Sequence, residues 1–121
     1  MGFRPEHIAC SIADQLAPAI PDRAHLALTT TGSVVRLDDG QTLAAVDLAT
    51  FASEEGLLSD EEAETAVRAV LSTIQDVVTE ALTVMWPAPD ALPAAAVRNG
   101  HLVGWFGDDQ HPVSLALATR V

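Results

Sequence analysis

The sequence predicts an α+β fold. Its expected architecture is a mostly antiparallel sheet of five or six strands with two helices, in the order α-ββ(β)-α-βββ, with the long central helix packed on the sheet. Three observations predict it. Ser59 to Trp86 repeats apolar residues at helical spacing. Asp39-Gly40 and Asn99-Gly100 each separate short runs of strand-like composition, as hairpin turns do. Prolines fall where a helix must stop, at Pro18, Pro21 and Pro87. With 121 residues, positions 1–121 form a single domain long enough for its own core.

Taken in order, Arg4 to Ala17 reads as the first helix. Pro5 suits the first helical position, where its missing N–H costs nothing. Ile8, Ile12 and Leu16 lie one turn apart, and Ala9 and Ala13 widen their stripe. His25 to Thr30 and Val34 to Leu37 then read as strands around a turn at Thr31-Gly32-Ser33. Asp38-Asp39-Gly40 predicts a type I′ hairpin, because Asp-Gly tolerates positive φ. Thr42 to Val46 returns as a third strand or begins a helix. Asp47 to Leu58 connects to the centre, with one helical turn around Ala49 to Ala52.

The central helix has a marked start. Ser59 to Glu62 is a capping box, and Asp60, Glu61, Glu62 and Glu64 place negative charge where the helix dipole favours it. Ala63, Val67, Val70, Leu71, Ile74, Val77, Val78, Ala81, Leu82 and Met85 fall within an arc of roughly 140°, the width of a core-facing stripe. Glu61, Arg68, Ser72, Gln75, Asp76, Thr79 and Thr83 occupy the opposite side. Pro87 is expected to end the helix, since the residue before a proline leaves the α region. A helix from Asp60 to Met85 is about 39 Å long. Its last turn, Leu82 to Trp86, therefore runs past what a small sheet covers.

After a proline-stiffened connector (Pro87 to Pro93), Ala94 to Arg98 and His101 to Phe106 flank Asn99-Gly100, the preferred I′ dipeptide. Val113 to Arg120 is the last strand. A five-residue loop after Phe106 pairs Trp105 with Val113. On that register Ala96, Val103, Trp105, Val113, Leu115 and Leu117 form the core face. Leu102, Gly104, Phe106, Ser114, Ala116 and Ala118 form the outer one. Neither face is hydrophilic, so the sheet is expected to be covered on both sides or to bind something at the outer face.

Composition narrows the function. The net charge of −11 disfavours nucleic acid and anionic membranes, and the six arginines are scattered. No apolar run reaches the length of a membrane span. The N-terminus lacks the apolar core of a signal peptide, so a cytoplasmic protein is expected. Arginine without any lysine reflects the codon bias of a GC-rich, bacterial genome.

No residue pattern points to chemistry. With one cysteine, Cys10, and four unclustered histidines, neither a thiolate cluster nor a helical zinc pair exists. His101 and His111 approach across the last hairpin beside Asp108 and Asp109, without a third ligand. No nucleophile elbow or phosphate loop is present. The expectation is a non-catalytic interaction module without cofactor or metal, self-associating as a homodimer. The interface candidates are Leu102, Phe106 and Ala116 on the outer face, or Leu82, Met85 and Trp86 at the end of the long helix. Two alternatives stand beside it. One is a small acidic chaperone or adaptor holding a segment of another protein. Size, low isoelectric point and element order are similar to the acidic chaperones of bacterial type III secretion, a likeness of fold class carried by no motif. The other is a ligand-binding domain or minor enzyme with a pocket between the long helix and the last strands near Trp105 and His101.

Overall fold

The computed structural model of the chain describes residues 2–53, 56–88, 91–107 and 114–120. Among them are two helices and six strands: α1 (Pro5–Leu16), β1 (Ala27–Thr31), β2 (Val34–Asp38), β3 (Thr42–Asp47), α2 (Asp60–Leu82), β4 (Pro93–Arg98), β5 (His101–Phe106) and β6 (Ser114–Thr119). The fold is α+β as expected, but the strands do not form one sheet. They form two three-stranded antiparallel meanders, β1-β2-β3 and β4-β5-β6. Local turn chemistry specifies each meander, and nothing in a hairpin signal says which edges meet later.

In α1, Pro5 occupies the first turn, and Ile8, Ala9, Ile12, Ala13 and Leu16 are buried. Cys10 is exposed at the side of the helix. The N-terminal meander turns at Gly32-Ser33, where Thr31 pairs with Val34 and Gly32 takes φ +60°. The second turn differs from the type I′ expectation. Gly40 has φ +109° and Asp39 does not have positive φ. Asp39 Oδ1 instead accepts the Gln41 N–H at 3.2 Å, making a three-residue loop with a register shift at Leu37/Asp38. Thr42–Asp47 is a strand, and a 3-10 turn at Leu48–Phe51 follows, started by Asp47 Oδ1 accepting from Ala49 N at 3.0 Å.

The capping box of α2 is complete. Ser59 Oγ accepts from Glu62 N at 3.2 Å, and Glu62 Oε1 accepts from Ser59 N at 2.9 Å. The helix ends earlier than Pro87 would require, at Leu82, because Thr83 turns left-handed at φ +59°. The chain then folds back. Trp86 N donates to Thr79 Oγ1 at 3.1 Å, and the Trp86 ring packs edge-on against Phe106, centroids 5.5 Å apart. Burying a tryptophan on an aromatic partner offsets the cost, of order 1–3 kcal/mol, of a non-glycine residue at positive φ. The side of α2 expected to face solvent is therefore partly occupied. Gln75 is 7% exposed and its amide donates to Ala91 O. Together Thr79 and Gln75 hold the Trp86–Ala91 connector on the helix. The buried stripe runs from Ala63 to Val78 and includes Ala66, while Ala81 and Met85 are exposed.

Both helices touch both meanders. α1 packs on β6 and on β1 and β2, and α2 packs on β4 and β5 and on β2 and β3. One continuous core results, running from Phe3 through Leu28, Val35 and Leu37 to Ile74, Leu102, Phe106, Leu115 and Leu117. The helices also reach the edges of the C-terminal sheet. Glu64 Oε2 accepts from Val97 N of β4 at 2.7 Å, and Gln15 Nε2 donates to Ala116 O of β6 at 2.7 Å. One backbone group on each edge of this sheet, Val97 N and Ala116 O, is thus engaged by a side chain and not by a further strand.

The C-terminal register is shifted by one from the expected one. Asn99 and Gly100 both have positive φ, as a type I′ turn demands, and Val97 pairs with Leu102 as expected. In the next pairing, however, Val103 meets Ala116 and Gly104 meets Leu115, with a bulge at Leu102/Val103. A one-residue slip exchanges the faces of a strand. Leu102, Gly104 and Phe106 therefore join Leu115 and Leu117 in the core, and Val103 and Trp105 point outward. Gly104 is the point of closest approach to α2. A Cβ there would lie 3.0 Å from Val67 Cγ1 and 3.3 Å from Leu71 Cδ1.

Candidate interaction surface

The interface candidates form two alternative sets, Leu102, Phe106 and Ala116 on the C-terminal sheet or Leu82, Met85 and Trp86 at the end of α2. Leu102, Phe106 and Trp86 are buried, Leu82 is half-buried, and Met85 and Ala116 are exposed. The slipped register accounts for Leu102 and Phe106, and the fold-back after Thr83 accounts for Trp86. Ala116 lies on the outward face of the C-terminal sheet, and the residues that share it with Ala116 follow from the pairing. They are Ala94, Ala96 and Arg98 on β4, His101, Val103 and Trp105 on β5, and Ser114 on β6.

This face is built by alternation. β5 buries every second residue and leaves His101, Val103 and Trp105 to the other side. Trp105, expected in the core, is half-buried at the surface, with the Arg98 guanidinium 5.1 Å from its ring centroid. Such a stack at an exposed position contributes roughly 0.5–1 kcal/mol. It draws two residue types that dominate interface energetics onto one small-residue platform. His101 Nδ1 lies 3.2 Å from Thr119 Oγ1. The outward residues named carry no carboxylate, on a chain with net charge −11.

The sequence expects a pocket between α2 and the last strands near Trp105 and His101. Val67, Leu71 and Leu117 close on Gly104 there, while Trp105 and His101 face away from the helix. A shallow depression of about 360 Å³ does exist at the bulge, lined by His101 to Val103 and Ala116 to Thr119. Leu43, Met85, Val84 and Leu92 are the large apolar side chains most exposed among the described residues.

Sites considered for chemistry resolve differently. Cys10 Sγ lies 3.6 Å from Asp14 Oδ2, and the charge of that carboxylate raises the thiol pKa, which disfavours the nucleophilic thiolate. Among the described residues, no three His, Cys, Asp or Glu side chains converge as metal ligands. Asp108, Asp109 and His111, as well as Pro112 and Val113, lie outside the described residues, so the His101/His111 pairing does too. Among the described residues, no helix is long and apolar enough to cross a membrane. No family model, curated protein or solved structure matches the chain.

The outward face of the C-terminal sheet was missed because its identification depends on register. Its one sequence signal was the pair Leu115 and Leu117. As the only leucines on the last strand, they mark its core face, and the face of β5 that joins them follows from the pairing.

Proposed function

We propose that the protein is a non-catalytic interaction module that self-associates through the outward face of its C-terminal sheet. One observation carries this reading. Among its described residues the face combines Val103, Trp105 and a row of alanines with no carboxylate, on a strongly acidic chain. No carboxylate among the described residues of this face opposes the approach of a second copy. Approach is by face rather than by edge, since Glu64 and Gln15 engage the edges of β4 and β6. The geometry is isologous, with the same residues contributed by both copies.

Size sets the strength. Three strands of six residues cover about 14 Å by 20 Å. That footprint is well under the roughly 800 Å² per partner of a standard interface. The dimer is therefore expected to be weak, dissociating in the micromolar range. Light scattering across a concentration series tests it. The mass should rise from 12.7 kDa towards twice that value, and Val103→Asp should hold it at 12.7 kDa throughout. A wild-type chain that stays at 12.7 kDa into the millimolar range rules out self-association.

A further inference from the structure

A second surface lies at the C-terminal end of α2, on residues that self-association through the C-terminal sheet does not use. A groove of about 480 Å³ runs between that helix end and the N-terminal sheet. Leu26, Leu43, Val77 and Ala81 give it apolar walls, and Asp39 and Glu80 also line it. Leu43 is the unusual member. It sits beside the register shift between β2 and β3 and is 50% exposed. Glu80 has no hydrogen-bond or ion-pair partner among the described residues, and neither has Asp76, one turn before it on the same side of α2. Asp39 uses one oxygen on Gln41 N and has no other side-chain partner among the described residues.

We infer that this groove docks a basic amphipathic segment of another protein. Its apolar side chains would pack on Leu43, Val77 and Ala81, and its lysines or arginines would meet Glu80 and Asp39. Charge complementarity selects this occupant. Two carboxylates line the groove with no arginine among the lining residues, and the only titratable cation there is His25. A second copy of this chain is a poor match, because it has no lysine and its six arginines are scattered one per segment. A nucleic acid is repelled by the same carboxylates. The amphipathic pattern follows from the groove itself, an apolar strip bordered by charge, which is how a helix-in-groove site reads its ligand.

The test uses the full chain and a fluorescein-labelled synthetic peptide of leucine and lysine at helical spacing. Two control peptides carry lysine with serine, or leucine with glutamate. Anisotropy should show binding of the leucine–lysine peptide alone, weakening as salt rises. Leu43→Ser, at an exposed position, should lower affinity roughly tenfold. Glu80→Gln should lower it about threefold at low salt. Asp14→Asn, a carboxylate removed from the exposed side of α1, should change nothing. Circular dichroism of each variant checks that the fold is kept. The inference is overturned by no binding, by binding that Leu43→Ser and Glu80→Gln leave intact, or by equal binding of the lysine–serine peptide. Loss of self-association in Leu43→Ser would also overturn it, by making a second copy the occupant.

Discussion

The N-terminal sheet turns Thr29, Thr31, Arg36 and Ala45 to solvent, whereas the C-terminal sheet turns Ala96, Val103, Trp105 and Ala116 the same way. Both are three-stranded meanders, each follows a helix, and both close on one core. Their inward faces are alike: Leu28, Val35 and Leu37 in one, Leu102, Phe106 and Leu115 in the other. Only the outward faces differ. In the first, Arg36 Nη2 donates to Thr42 Oγ1 at 2.7 Å, among Thr29, Thr31, Ala27, Val34 and Ala45. In the second, the longest polar side chain lies across an indole. Stability would permit either wall to be polar, since neither faces the core. The face that carries the indole is the one the proposed self-association uses.

The comparison breaks most readily at neighbouring positions on β5. Leu102→Asp places an unpaired charge in the core and should cost several kcal/mol, enough to unfold a domain of this size. Val103→Asp, one residue on, should keep the fold and lose only self-association. Circular dichroism melts of the pair decide the register: equal destabilisation would mean that β5 does not alternate as described. Ile74→Asp on α2 belongs with Leu102→Asp, since Ile74 is 1% exposed at the centre of the same core.

A smaller effect is expected at Gly104. Gly104→Ala adds a methyl 3.0 Å from Val67 Cγ1 and should destabilise by about 1–3 kcal/mol through overpacking. No position of the N-terminal sheet answers to it, because the glycines there sit in open turns. Denaturant melts should show this cost relieved in the double variant with Val67→Ala. If the two effects simply add, α2 does not lie on Gly104.

These positions also show what the sequence could disclose. The helix stripe was legible because a periodicity of 3.6 repeats over five turns, and its capping box was legible because it is local. The type I′ turn at Asn99-Gly100 was legible for the same reason. The faces of β5 and β6 were not, because their assignment hung on one assumed loop length, and the bulge at Leu102/Val103 leaves no mark in composition. The division into two sheets was hidden because hairpin signals are local and do not say which strand edges meet. Gln75 and Thr79 read as a solvent face because their partners, Ala91 and Trp86, arrive from a connector that has no pattern of its own. Thr79→Val removes the acceptor of Trp86 N and should cost about 1 kcal/mol. The loss should appear as a lower melting temperature, with tryptophan emission shifted as Trp86 loosens from Phe106. An unchanged melt would mean that the fold-back is held by ring packing alone.

The smallest effect tests how the two sheets are joined. Each is tied to the start of α2 by a carboxylate. Asp60 pairs with Arg120 at the end of β6, with Nε 3.1 Å from Oδ1. Glu62 accepts from Ser53 N at 2.9 Å, beyond the 3-10 turn that closes the N-terminal sheet, and from Ser59 N within the capping box. The hydrogen bond from Ser53, with those from Ser59 behind it, lowers the Glu62 pKa from its ordinary 4.5 to about 2. A depressed folded-state pKa means that the native state binds fewer protons than the unfolded chain near pH 3. The stabilisation is thus complete above pH 4.5 and is lost as pH falls towards 2. Glu62→Gln keeps one acceptor oxygen and removes the titration. Its melting temperature should lie slightly below wild type at neutral pH, and the gap should narrow through the acid range and close near pH 2. A gap that stays constant with pH would place the join of the N-terminal sheet in packing alone, through Phe3, Leu48 and Leu58, with the carboxylate contributing nothing to it.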